Sequence, residues 1–255
     1  MTGAARGIGR AVAARLVSEG MRVVVNDLDA DELAGTATEI GAYAVPGDCA
    51  SRDGVDSLID AATHLLGAID VYVANAGTDR GHGLDSPDAD WVVALEINTL
   101  AHVRAAQLLV PQWLERGGGR FVATASAAGL LTMIGNGPYS VSKHAAVAFA
   151  EWLSATYRDK GIVVQVVCPQ GVRTRMTDDV GALTPLLAGP DALDPEDVAA
   201  ALWDAFADDR FLVLPHPEVA QFVAAKAQDV EGWLGSMNRL GGRLGVPRAW
   251  VEEAP

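Results

Sequence analysis

Six short valine-rich runs, at positions 22–27, 42–48, 69–77, 120–126, 162–168 and 211–215, alternate along the chain with amphipathic stretches at 8–19, 52–66, 87–95, 100–115, 139–160 and 195–207. Runs of this length and β-branched content read as strands buried on both faces, and the stretches between them repeat their apolar residues at helical spacing. Strict alternation leaves little choice of fold. Each crossover between parallel strands is right-handed, so the expected architecture is an α/β domain built on a doubly wound parallel sheet with helices on both faces. Ligands of such sheets sit outside the carboxyl ends of the strands, which directs attention to the residues just after each strand.

The 255 residues fit a single domain over 1–255, with a Thr-, Asp-, Gly- and Pro-containing substrate loop at about 172–192 and a C-terminal extension at about 216–255. Half of the residues are hydrophobic and only 6% aromatic, which suits close packing of helices on a sheet. A formal net charge of -14 disfavours nucleic acid and anionic lipid as partners. Cys49 and Cys168 make neither a disulfide framework nor a metal-type spacing, so no metal site is read and a reducing cytoplasm is expected. No apolar run is long enough to span a membrane, and the N-terminus does not read as an export signal.

Thr2, Gly3, Ala4, Ala5, Arg6, Gly7, Ile8 and Gly9 form a T-G-x-x-x-G-I-G turn opening a helix. Bare backbone there lets a pyrophosphate approach the amides at the positive end of the helix dipole. The turn alone would also suit a tight loop without a ligand. Asp27 ends the strand that follows, where a carboxylate accepts hydrogen bonds from an adenosine ribose and repels a 2'-phosphate. The pair reads as a Rossmann-type site for NAD in preference to NADP, with Arg6 as a counter-signal because a cation near that ribose attracts the phosphate. Asp29 and Asp31 read as an acidic, solvated helix start.

Tyr139 and Lys143 are four residues apart, on one face of a helix. A phenol with a pKa near 10 needs its value lowered to act as a base at pH 7, and a neighbouring ammonium does this. By itself such a pair is also a common solvated surface feature. Ser126, thirteen positions before Tyr139 at the end of a strand, and Asn98, ahead of the helical stretch at 100–115, favour the catalytic reading.

With Ala74-Asn75-Ala76-Gly77 after a strand, these residues occur in the order found in the short-chain dehydrogenase/reductase family, which the chain resembles over nearly its whole length. The resemblance implies a hydride moved between nicotinamide and a carbinol or carbonyl carbon, so an NAD-dependent oxidoreductase interconverting a secondary alcohol and a ketone. It makes Tyr139 the general acid/base and also a cofactor contact, Ser126 the group that polarises the substrate oxygen, Lys143 the holder of the nicotinamide ribose, and Asn98 the anchor of a water in the proton relay. It also implies that Asp48 and Cys49 lie near the adenine, that Asn75, Ala76 and Gly77 line the cofactor path, and that Pro169, Gly171, Val172 and Thr174 contact the nicotinamide end. A homotetramer or homodimer through the helices at 100–115 and 139–160 is implied as well. An NAD-binding protein without catalysis, or a lyase or epimerase, shares the scaffold and remains the alternative.

The chain departs from the family pattern twice. Pro169-Gln170-Gly171 displaces the usual glycine by one position, leaving Gln170 to shape substrate choice or simply to face solvent. The glycine turn also follows Met1 directly, where the fold needs a central strand. The expectation is a first strand lacking from this sequence, with about six to ten further N-terminal residues in the working protein. Leu130, Leu131, Met133, Ile134, Leu186 and Leu187 suggest a hydrophobic substrate pocket or part of the core. His216 and Glu218 read as the start of a tail helix or as reaching a neighbouring subunit's site, the former being preferred. Ala145, Ala146, Ala148 and Ala150 permit close approach of a second copy or of the chain's own sheet.

Overall fold

The valine-rich runs do form a parallel sheet, but in two parts. The computed structural model describes residues 1–178 and 180–247. In it α1 (Gly7–Ser18) leads to β1 (Val24–Val25), α2 (Ala30–Ile40) to β2 (Tyr43–Ala44), and α3 (Arg52–Leu66) to β3 (Val71–Ala74). Helix α4 (Asp88–Leu95) passes through a π turn (Glu96–Leu100) into α5 (Ala101–Arg116). It is followed by β4 (Gly119–Thr124), α6 (Ala128–Leu131), α7 (Gly137–Tyr157) and β5 (Ile162–Val167). Two 3-10 turns, Arg175–Thr177 and Gly181–Leu183, precede α8 (Thr184–Leu187), α9 (Pro195–Ala205), β6 (Leu212–Val213), α10 (Glu218–Gln228) and α11 (Val230–Leu244). The expected substrate loop is therefore described except at 179, and the C-terminal extension as far as 247; the rest of both lies outside the described residues.

Strands β3, β4, β5 and β6 pair in that order, all parallel, and β1 pairs with β2. Side chains of successive strand residues enter opposite layers. Tyr72, Phe121, Ala123, Val164 and Val166 pack with α3, α5 and α7, whereas Val73, Val122 and Val167 pack with α1, α2 and α9. Both faces are covered, which is why these runs carry no polar alternation.

Between β1 and β3 only Met1 and Thr2 are in place. Asn26 N–H donates to Met1 O (2.9 Å), Thr2 N–H donates to Val73 O (3.1 Å), and Thr2 forms a parallel bridge with Asn26. Below them a cavity of about 350 Å³ separates the two parts of the sheet, lined by Leu16, Val24, Leu58, Ile59, Val71 and Val73 among others. Met1 and Thr2 thus bridge β1 and β3, and the cavity has strand backbone on both sides.

The sequence pattern predicts only an acidic helix start at Asp29 and Asp31, whereas the structure has the full helix α2. Gly35, Thr36 and Thr38 weaken its helical signal, but Asp29 accepts the Glu32 N–H as N-cap, Gly41 ends the helix at φ 77°, and buried Leu33 and Ala37 hold it on the sheet. The stretch expected as one helix over 139–160 is α7 followed by a 3-10 turn, Arg158–Lys160. Helices α10 and α11 close the end beside α6, where Val219 packs on Ala127 and Leu131.

An extended segment of about six β-branched residues joined ahead of Met1 should hydrogen-bond to both strand edges and raise the Tm by about 5 to 10 °C in scanning calorimetry. An unchanged Tm would mean that the gap does not accept a strand.

Candidate active site

The glycine turn is fixed before any ligand arrives. Thr2 Oγ1 accepts N–H bonds from Asn75 and Ala76 (3.0 Å each), and Asn75 Nδ2 donates to Thr2 O (3.1 Å) and Gly3 O (3.0 Å). A Cβ on Gly9 would lie 2.0 Å from Gly3 O, and one on Gly3, at φ +61°, would lie 2.7 Å from the Ala76 Cα. Both positions therefore need glycine. No side chain caps α1 at Arg6, so the first-turn amides of Gly7, Ile8 and Gly9 are left to a ligand. Gly7, at φ +56°, faces Thr174 across this groove, 3.2 Å from the position of its missing Cβ to Thr174 Cγ2.

Asp27 sits beside the turn, its Oδ2 accepting Ala5 N–H (3.1 Å) and its Oδ1 accepting Asp29 N–H (3.2 Å). Each oxygen keeps a free lone pair for a hydroxyl. Arg6 is already paired with Glu32, which also takes both Arg175 nitrogens at 3.0 and 3.3 Å and so ties the segment after β5 to α2. Leu28, directly after Asp27, is an apolar side chain that is 76% exposed. Asp48 is occupied by its own loop, accepting the amides of Ala50 (2.8 Å) and Ser51 (3.0 Å). Cys49 is buried in the core rather than on the groove, and burial pushes its thiol up to about 12.

The four catalytic candidates come from three separate elements. Ser126 follows β4; its Oγ accepts Ala128 N–H (3.1 Å) and donates to Pro169 O (3.5 Å). Tyr139 opens α7, whose N-terminus is fixed by Asn136: Oδ1 accepts Tyr139 N–H (3.0 Å) while Nδ2 donates to Asp79 O (2.7 Å) and Gly81 O (2.9 Å). Lys143 lies one turn later, its Nζ donating to Thr124 O at 2.9 Å and standing 5.7 Å from the Tyr139 ring centroid. Asn98 sits in the π turn, fully buried; Oδ1 accepts Thr78 N–H (2.9 Å) and Nδ2 donates to Thr78 O (2.8 Å) and Ser142 Oγ (2.9 Å). A Cβ on Gly77 would stand 3.1 Å from Asn98 Oδ1 and 3.4 Å from Lys143 Nζ, so this glycine leaves the passage between them and the glycine turn open.

The remaining sites divide. Pro169, Gly171 and Val172 lie on the loop after β5. Val172 is buried and bridges to Leu193, and a Cβ on Gly171 would lie 2.1 Å from Leu187 O. That close approach is why glycine stands one position later than the family pattern. Of the suggested pocket residues, Leu131 belongs to the small cluster with Ala127 and Val219, Leu130, Met133, Ile134 and Leu187 are half-buried, and Leu186 is exposed. Ala146 and Ala150 face the chain's own core, whereas Ala148 faces outward.

Comparison with known proteins agrees with this geometry. Residues 1–183 match the family model described as short chain dehydrogenase. The chain is a short-chain dehydrogenase/reductase. It is 38% identical over 232 residues to 1-deoxy-11-beta-hydroxypentalenate dehydrogenase of Streptomyces exfoliatus, covering 86% of this chain and 82% of that one. It is 35% identical over 221 residues to hydroxyacyl-CoA dehydrogenase ChsB1 of Mycobacterium tuberculosis, covering 78% and 69%. A short-chain dehydrogenase/reductase from Burkholderia phymatum in complex with NAD superposes with a TM-score of 0.84 at 28% identity, over 91% of this chain and 92% of that one. The protein is therefore a nicotinamide-dependent oxidoreductase acting on CH–OH groups, which sets aside the non-catalytic alternative.

In this short-chain dehydrogenase/reductase the electrostatics of the site are dominated by burial. Burial pushes the Tyr139 phenol up to about 12, against the Ser126 hydrogen bond that lowers it, and Asp79 and Cys168 act in the same direction as burial. The expectation that Lys143 lowers the tyrosine is not met in the chain alone. Burial drives Lys143 itself down to about 8, and among the described residues no carboxylate forms a salt bridge with it.

A lysine whose folded value is lowered destabilises the fold most below that value, and the penalty fades as pH rises from about 8 toward 10.5. Lys143→Met should therefore raise the Tm at pH 7 by about 2 to 5 °C while lowering turnover at least about 100-fold. Calorimetry and steady-state kinetics on one preparation check both parts.

Proposed function

We propose that this oxidoreductase uses NAD rather than NADP and interconverts a secondary alcohol and a ketone on a small hydrophobic molecule. The observation that carries the reading is the convergence of Ser126, Tyr139 and Lys143 at the strand ends, opposite a glycine turn flanked by Asp27. The uncapped amides of Gly7, Ile8 and Gly9 would hold the pyrophosphate, Asp27 the adenosine ribose hydroxyls, and Leu28 offers the adenine an apolar surface. Asp29 and Glu32 already engage Arg6, so the local field around that ribose opposes a further phosphate.

When bound, the nicotinamide ring accepts or returns the hydride. Ser126 donates to the substrate oxygen and Tyr139 exchanges the hydroxyl proton with it. A phenol at about 12 is protonated at neutral pH, the state that donates to a ketone oxygen during reduction. To act as a base in oxidation it must lose that proton, which a charged Lys143 favours. The Asn98 amide is spent on Thr78 and Ser142, so we assign it the task of locking the loop after β3 onto α7.

Half-buried Leu130, Met133, Ile134 and Leu187 support an apolar substrate. Exposed Leu100, Leu114, Val141 and Trp152 on the outer side of the helices around 100–157 support assembly with a second copy, as a homodimer or homotetramer. Two buried, free cysteines support a reducing, cytoplasmic setting. No described helix is long and apolar enough to cross a membrane.

Fluorescence titration should give a Kd for NADH at least about tenfold below that for NADPH, and Asp27→Ser should shrink or reverse the ratio by roughly 1.4 kcal/mol or more. A wild-type preference for NADPH would overturn the NAD assignment. Tyr139→Phe should lower kcat by about 100-fold or more with NADH affinity unchanged within a factor of about three, since the hydroxyl acts on the proton and not on cofactor binding.

A further inference from the structure

The first residues of the tail reach the catalytic serine through one peptide unit. His216, between β6 and α10, is 4% exposed, and its Nδ1 accepts the Gln170 N–H at 3.1 Å. The carbonyl of the same peptide, Pro169 O, accepts the Ala127 N–H at 2.8 Å and the Ser126 hydroxyl at 3.5 Å. A peptide group is planar and rigid, so fixing its N–H fixes the direction of its carbonyl. No hydrogen bond from the Gln170 side chain is present among the described residues; its main chain is what the structure uses.

The geometry points to His216 as a positioning residue for Ser126. It clamps the Pro169–Gln170 peptide from the tail side, and Ser126 and Ala127 clamp it from the strand side. The role requires a neutral imidazole with its proton on Nε2, because a protonated Nδ1 cannot accept the Gln170 N–H. Nε2 is buried without a partner in the described structure, so a second proton charge has nowhere to go. Burial holds the His216 value below its ordinary range, while Glu218 on α10, the Gly171 backbone and Asp197 on α9 pull the other way. The neutral clamp is then intact at pH 7 and is lost only as pH falls through a folded value below the ordinary histidine range, the unfolded chain taking up its proton first, at about 6.5.

The inference rests on the oxidoreductase reading only for its kinetic arm. Asparagine places an oxygen where Nδ1 stands, whereas glutamine carries its polar atoms to the distance of Nε2 and leucine carries none. NMR hydrogen exchange should show the Gln170 amide protected in wild type and His216→Asn, and exchanging about tenfold faster or more in His216→Leu and His216→Gln. With NAD and a panel of secondary alcohols, His216→Leu and His216→Gln should lose roughly tenfold in kcat, with NADH Kd unchanged, and His216→Asn should recover most of it. An acid limb lying below the ordinary histidine range should be present in wild type and weakened in His216→Asn, which has no proton to gain. Equal Gln170 exchange in all four proteins, or wild-type kcat in His216→Leu, would overturn the proposal. A wild type that binds NADH and turns over no alcohol would count against the substrate reading, and the exchange data would still decide the role of His216.

Discussion

The hydrogen bonds between Thr2, Gly3 and Asn75 hold the two parts of the sheet in one frame. On one side lie β1, β2 and Asp27; on the other lie β3 to β6 with every catalytic candidate. Thr2 accepts two amides from the loop after β3, and Asn75 returns its amide hydrogens to the carbonyls of the glycine turn. Backbone groups in such a place are obliged to pair, and here the Thr2 hydroxyl and the Asn75 side-chain amide supply their partners across the joint. The close approach of Gly9 to Gly3 O leaves no room for any other residue, so the cradle for a dinucleotide and the frame of the sheet are the same construction.

Function at this site works against stability. Tyr139 and Lys143 are buried where their charged forms are disfavoured, and Lys143 Nζ donates to the neutral Thr124 carbonyl at 2.9 Å. The low dielectric that raises one value and lowers the other also strengthens every interaction with a bound substrate oxygen. The remainder of the fold, with two continuous apolar layers on the sheet, offsets that cost. A helix end closed by Asn136, a π turn holding Asn98 and a loop held by His216 keep the polar groups in register without adding charge.

Much of this was legible in the residues because the relevant groups are close in sequence or tied to strand ends. The glycine turn, Asp27, Ser126 and the Tyr139/Lys143 pair each depend on local geometry, either a helix start, a strand end or one helical turn. Helix α2 was missed because its threonines and Gly35 carry little helical preference, and its place is set by Leu33 and Ala37 meeting the sheet. The shift of glycine to Gly171 looked like a local irregularity. Its reason is the Leu187 carbonyl of a helix sixteen residues on, which no local pattern contains.

The sequence by itself determined the α/β class, the order of the six strands and of the longer helices other than α2, and the dinucleotide turn, since each follows from periodicity or from residues within a few positions of one another. Tertiary structure alone decided that Arg6 is neutralised by Glu32, that Asn98 is committed to Thr78 and Ser142, and that Cys49 belongs to the core. It also decided that His216 holds the peptide against Ser126 from 46 residues away along the chain. These are contacts between elements, and their energies depend on burial and direction, which exist only once the layers have packed.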